Sequence, residues 1–448
     1  MNRTRNMRRR ALTLIAALLA PLWLSMPVSA ASPDDGWLLQ SEVGLRGSGD
    51  GRFGRTVAVA GEWMAVGATL GPDPGINTGA VFLFHRENGI WTAAGNLVNP
   101  DPQAQASFGA AIAMSGTHLV VGEPFYSSGS LASTGRVLFY ELDPASATWN
   151  LITSYSYNQA GAYTGYAVAI DGSTAMVGLP GANVFAPPQD AAGGVVGWTF
   201  AGTHWNSMGL LIQGNNPLEN DFFGASVAVH VNNGSARVVV GAPSRTPNPN
   251  LDNSGAAYVF DVSVGSATQI AFLTAPNIAR VDSFGAAVGY GHGARVFIGA
   301  PGRDYNGQQA AGVVFVFAPV AGGYGAESLV SRGTDAHFGD QFGTSLAYDE
   351  TSDVLAVGAP GEDGLVADEG AAHIFHPYIG GGGGTLWAET AKLSLADLPH
   401  DADALGSALA LDNGHAYVGA PLVAAGGQSA QGRVYVFASD LIFADGLD

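Results

Sequence analysis

Along most of the chain, apolar runs of three to five residues alternate with glycine or polar breaks, a spacing too short for helices and suited to strands. Ala110-Ala111-Ile112-Ala113 and Leu119-Val120-Val121 flank Ser115-Gly116, which reads as a β-hairpin. A third run follows a variable loop, as in Ala256-Ala257-Tyr258-Val259-Phe260 and Arg433-Val434-Tyr435-Val436-Phe437. Its β-branched and aromatic content suits a strand. A fourth run begins near Trp91, Trp149, Trp205 or Trp387.

This four-run unit occurs seven times, opening at Phe53-Gly54, Phe108-Gly109, Thr164-Gly165, Phe223-Gly224, Phe284-Gly285, Phe342-Gly343 and Leu405-Gly406. A second signature follows each opening, for example Gly241-Ala242-Pro243, Gly299-Ala300-Pro301 and Gly358-Ala359-Pro360. Four antiparallel strands in a unit of 55 to 63 residues predict a blade, and seven units predict an all-β, seven-bladed β-propeller. The first run of each unit is built of small residues, as in Ala286-Ala287-Val288-Gly289, which places it innermost, where the blades converge. The Phe of each opening is expected to wedge between blades, and its Gly to allow close backbone approach. The seventh unit stops after Phe437 without a fourth run, whereas Trp37 to Val43 precedes the first opening. That segment is expected to complete the last blade and close the ring, leaving no open sheet edge.

Residues 1–30 read as a signal peptide. Five arginines up to Arg10 precede an apolar run from Ala11 to Leu24, and Val28-Ser29-Ala30 offers a small-x-small cleavage pattern. The propeller then spans 31–438, and 439–448 form a short acidic tail. The leading segment holds five of the 18 basic residues and none of the 37 acidic ones, so the remainder carries 13 against 37, a balance of −24. Such a surface repels nucleic acid and anionic headgroups. Without any cysteine, disulfides, thiolate metal sites and a Cys nucleophile are excluded. The expected product is a monomer that is secreted or held at the cell surface or in the periplasm, with no membrane insertion of the processed chain.

Phe223-Gly224-Ala225-Ser226-Val227-Ala228, Val239-Val240-Gly241-Ala242-Pro243 and Gly255-Ala256-Ala257-Tyr258-Val259-Phe260 resemble the FG-GAP repeat family, which includes the head of integrin alpha chains. The resemblance extends over nearly all of the chain after residue 30, looks closest to the bacterial secreted branch, and implies the same propeller. Many members of that family carry an Asp-rich calcium loop in the first hairpin of a blade. The corresponding turns here, such as Ser115-Gly116-Thr117 and Asp171-Gly172-Ser173, lack that carboxylate ladder. No cofactor is therefore expected, and Asp349, Glu350 and Asp353 are the one weak calcium candidate.

In an up-and-down blade, the loops after strands two and four share one face, and here those loops are long and variable. Binding residues concentrate on such loops. On that face Glu362, Asp363, Asp368 and Glu369 are candidate binding groups, with Asp221, Asp282, Asp304, Asp340, Asp401 and Asp403 nearby. The aspartates two residues before an opening are better read as turn residues. Phe125, Tyr126 and Tyr305 are candidate aromatic contacts for a sugar or peptide. No catalytic constellation stands out. The leading reading is a binding or adhesion scaffold that engages an extracellular polysaccharide or protein. The competing reading is a propeller-based polysaccharide lyase or glycoside hydrolase, for which Arg, Tyr or His would converge with carboxylates at the central channel.

Overall fold

The computed structural model describes residues 26–30, 36–44, 51–70, 77–185, 188–232, 234–247, 250–363, 368–381, 384–395, 403–424 and 430–439. The part of the expected signal peptide before residue 26, the tail after Ser439, and Asp401 lie outside these residues.

Seven antiparallel blade sheets surround a central axis, six of four strands and the last of five. In the fourth blade, Ser226–Asn232, Ser235–Ala242, Ala256–Ser263 and Ser266–Leu273 follow one another from the axis outward. The innermost strands are half-buried because one side faces the channel, as in Ser226–Asn232 and Ser345–Asp349. Second strands such as Thr174–Leu179 and Val354–Ala359 are buried throughout. Their β-branched and aliphatic side chains fill the spaces between blades.

Trp37–Gly44 pairs antiparallel with Arg433–Ser439, placing Leu39 opposite Phe437 and Trp37 opposite Ser439. Its equivalence to the other outer strands is visible in a shared irregularity. Each pairing of a third with a fourth strand slips register once, and the Trp37–Gly44 pairing does so between Leu39 and Ser41. A bulge of this kind adds local twist, so all seven blades acquire it at the same place. The backbone of Met26–Ala30 lies along the free side of Trp37–Gly44.

The repeated motifs interlock neighbouring blades. Each opening residue forms an isolated parallel bridge with the Gly preceding the third strand of the previous blade, from Gly79 with Phe108 round to Gly432 with Phe53. The ring is thereby closed by backbone as well as by the terminal strand. Phe53, Phe284 and Phe342 are fully buried, and Phe223 packs with Met176 and Val195 of the preceding blade as well as with Val238 and Tyr258 of its own. These are wedges. Gly241 sits directly against the carbonyl of Gly285 in the next blade, where an added β-carbon would collide with that oxygen. The same collision awaits a side chain at Gly67, Gly122, Gly178, Gly299, Gly358 and Gly419. The Gly of the second signature is therefore set by the opening of the following blade.

Candidate functional site

The long loops of the sheets surround one end of the central channel. Seven equivalent stretches of backbone converge at this mouth. In each, the residue before the opening has a left-handed conformation, with φ of 51° at Arg52, 58° at Ser107, 56° at Tyr163, 54° at Phe222, 52° at Ser283, 54° at Gln341 and 54° at Ala404. The opening residue then turns inward to the core, and the residue after the Gly emerges beside the channel. Because the backbone is the same seven times, the side chains at these two positions set the chemistry of the mouth.

Five blades place small or neutral residues after the Gly, namely Ala110, Ala225, Ala286, Thr344 and Ser407. The first blade has Arg55, with Arg52 before the opening, and the third has Tyr166, with Tyr163 before it. Arg52, Arg55, Phe125 and Tyr166 line a cavity of about 570 Å³ that narrows into a channel walled by Val57, Ile112, Val227 and Leu346. No carboxylate lines it among the described residues. Arg55 N–H bonds back to the Arg52 carbonyl at 3.2 Å, and Arg52 N–H to Ala430 of the last blade at 3.0 Å. The backbone bearing both arginines is thus fixed.

Neither arginine has an ion-pair or hydrogen-bond partner for its guanidinium among the described residues. Burial against the channel walls, countered by Tyr166 and reinforced by the like charge of Arg52, lowers the Arg55 pKa from its ordinary value. The other described arginines pair with carboxylates, except Arg86, whose guanidinium lies 5.4 Å from the Trp91 ring centre.

The acidic candidates occupy different surroundings. Glu362 is buried, with oxygens 2.7 Å from Arg332 Nη2, 2.6 Å from Lys392 Nζ and 2.7 Å from His373 Nε2. Burial opposes its charge, yet these three partners prevail and hold its pKa at about 2. Asp363 accepts a hydrogen bond from the Asp368 amide at 3.0 Å, which brackets the loop between them. Glu369 is buried, and its carbonyl accepts from Leu405 N–H at 3.0 Å. Glu362 and Glu369 are thus buried, whereas Asp363 and Asp368 stay exposed.

The aspartates before the openings are turn residues with an added partner. Asp221 accepts from Leu218 N–H at 2.8 Å and from Arg245 at 2.5 Å, and Asp282 from Ala279 N–H at 2.9 Å and Arg303 at 2.6 Å. Arg245 and Arg303 each stand two residues after the Pro of the second signature's Gly-Ala-Pro. In the sixth blade that neighbourhood carries Glu362, and Arg332 from the inter-blade loop reaches Asp340 instead.

Among the aromatic candidates, Phe125 is 43 % exposed at the mouth and meets Tyr163 edge-on at 5.8 Å. Tyr126 donates to Asp101 at 2.8 Å, under Arg136 at 3.9 Å, as part of the Glu123–Arg136 cluster. Tyr305 lines a separate groove of about 390 Å³ with Pro276, Arg303 and Leu329. Asp349, Glu350 and Asp353 lie on the opposite face. Asp349 accepts from Thr351 N–H at 3.0 Å and Ser352 Oγ at 2.6 Å, and Asp353 from Tyr348 Oη at 2.5 Å. No cluster of three metal-ligating side chains occurs among the described residues.

The sequence profile of the FG-GAP repeat matches residues 47–84, 212–260 and 332–375, which cover the first, fourth and sixth blades from before the opening into the third strand. In these three blades the chain carries the FG-GAP repeat. No curated protein matches it. Among solved structures, it is similar to the crystal structure of Saccharomyces cerevisiae Sqt1 at 12% identity, over 84% of each chain, with a TM-score of 0.45; at that level the likeness carries no argument. Within this FG-GAP propeller, Arg52, Arg55 and Tyr166 escaped the reading of the sequence. The signal lay in comparing the residues on either side of the seven openings, where basic side chains occur in one unit only.

Proposed function

We propose that this FG-GAP propeller is a secreted binding scaffold whose long-loop face engages an extracellular polysaccharide or protein, as in adhesion. The supporting observation is the mouth of the channel on that face, where two arginines without partners among the described residues and exposed aromatic rings surround a preformed cavity. Pockets of a few hundred cubic ångströms with few polar groups are the usual sites of ligand binding. The fold itself is neutral about function. Among the described residues no helix is long and apolar enough to cross a membrane.

The test is to screen the protein from residue 31 onward against cell-wall and extracellular polysaccharides and surface proteins, scoring binding and depolymerisation together. Saturable binding without chain cleavage supports the scaffold reading. Release of reducing ends or unsaturated sugars overturns it.

One observation favours the enzyme alternative. At the other end of the channel, His230 stacks on Tyr290 at 4.7 Å, with Nδ1 3.5 Å from Asp171 Oδ2 and 4.0 Å from Glu350 Oε2. Histidine, tyrosine and carboxylates thus converge there. If this end is catalytic, His230→Ala abolishes depolymerisation and leaves binding at the long-loop face intact.

A further inference from the structure

We propose that the channel mouth binds the terminal acidic sugar of an oligosaccharide end-on, its carboxylate received by Arg52 and Arg55. The inference rests on the reading of the long-loop face as a binding face, and supplies the class of ligand.

Charge is the first argument. The chain has a net charge of −19, and eight of its eleven described arginines are paired with carboxylates. Two guanidinium groups without partners among the described residues, in a cavity with no carboxylate among its described lining, form a local positive site inside a negative molecule. A guanidinium presents its N–H donors in a planar fork that matches a carboxylate. In a confined cavity such charge-assisted hydrogen bonds are stronger than on an open surface.

Shape supplies the second argument. Phe125 and Tyr166 are each 43 % exposed at the same mouth, and offer apolar faces to the C–H surface of a pyranose ring. A cavity of about 570 Å³ holds one or two sugar rings rather than a polymer segment. The surrounding loops carry exposed Asp101, Asp304, Asp335, Asp363 and Asp368. A polyanion lying across the face would meet those charges, whereas a chain entering by its acidic end places one carboxylate on the arginines and its neutral remainder outward.

Titration calorimetry with four probes tests this: a trisaccharide with a non-reducing glucuronate, its carboxyl-reduced counterpart, the same trisaccharide bearing a terminal sulfate ester, and an Asp-Glu tripeptide. The glucuronate probe is expected to bind, with the reduced probe at least tenfold weaker. Arg52→Gln and Arg55→Gln are each expected to weaken glucuronate binding tenfold or more, with melting temperatures unchanged. Arg280→Gln, which removes an exposed arginine paired with Asp252, should leave binding as it was. Should a glutamine variant fail to fold, Arg52→Lys and Arg55→Lys keep the charge without the fork and are also expected to weaken binding. Equal affinity for the reduced probe, indifference to the arginine variants, or no binding of glucuronate overturns the proposal. Tighter binding of the sulfate ester or of the peptide overturns the carboxylate or sugar assignment, respectively. If neutral polysaccharides nevertheless bind and Phe125→Ala weakens them, the scaffold reading stands while the acidic-sugar site falls.

Discussion

Gly241 lacks the positive φ that usually explains a glycine; what demands it is the carbonyl of Gly285 in the adjacent blade. Gly241→Ala must push two backbones apart, and is expected to cost on the order of 3 kcal/mol, toward the upper end for overpacked cores. Gly61→Ala, in a turn with nothing near the added carbon and φ of 60°, should cost only about 1 kcal/mol. Urea denaturation of the two variants checks the contrast. Titrating side chains give a second expectation. Glu362, held at about 2, stabilises the fold above the ordinary carboxylate range, and that contribution disappears as pH falls through about 2. For His373, burial lowers the pKa, but Glu362 and Glu389 outweigh it and raise the value. Its contribution is complete below about pH 6.5 and is lost as pH rises through the raised folded value. Burial pushes Asp221 up to about 6 against its Leu218 and Arg245 hydrogen bonds. The folded state then takes up that proton before the unfolded chain does, favouring the fold as pH falls from about 6 toward about 4. Thermal stability should therefore peak at about pH 4 to 5, where the Asp221 gain is nearly complete and the Glu362 loss is only beginning. In melts from pH 3 to 9, Glu362→Gln should flatten the acid limb and lower the whole curve, since Arg332 and Lys392 lose a buried partner. His373→Gln should flatten the alkaline limb.

The closing strand is the element on which the ring depends. Removing residues 31–45 deletes Trp37–Gly44 and leaves Arg433–Ser439 with an unpaired edge, so the shortened chain should aggregate and melt several degrees lower. Light scattering and calorimetry check this; unchanged monomer content and melting temperature would count against closure. The strands, their order and this closure were legible in the sequence because each rests on local pattern: apolar runs, turn residues and a spacing repeated seven times. The surroundings of the acidic candidates were not. Glu362 meets Arg332, His373 and Lys392, partners spread over 60 residues of sequence that only the packing of the blade unites. Nothing local distinguishes it from Asp363, which lies exposed beside it. The mouth was hidden differently. Arg52 and Arg55 flank a motif whose repetition draws attention to Phe53 and Gly54, while their meaning comes from seven such flanks meeting at one axis.

At the scale of the whole molecule, stability comes from packing around a closed ring, and no calcium dependence is expected. Asp349 and Asp353 already serve their own turn, so melts in millimolar calcium and in chelator should coincide within a degree. A bound ligand at a hundredfold excess over its dissociation constant would add about 2.7 kcal/mol, which such melts resolve. A shift removed by replacing Asp349, Glu350 and Asp353 with Asn, Gln and Asn would place a calcium ion there after all. The strand pairing that closes the ring also has a mechanical consequence. Because Trp37 lies opposite Ser439 in an antiparallel pair, the chain enters and leaves the seventh blade at the same end. Tension applied through both flanks would load the ladder bonds one after another, as in unzipping, rather than all together in shear. Anchored at one flank and pulled through a ligand on the long-loop face, the same ring would keep that seam unloaded and bear the force through its interlocked blades.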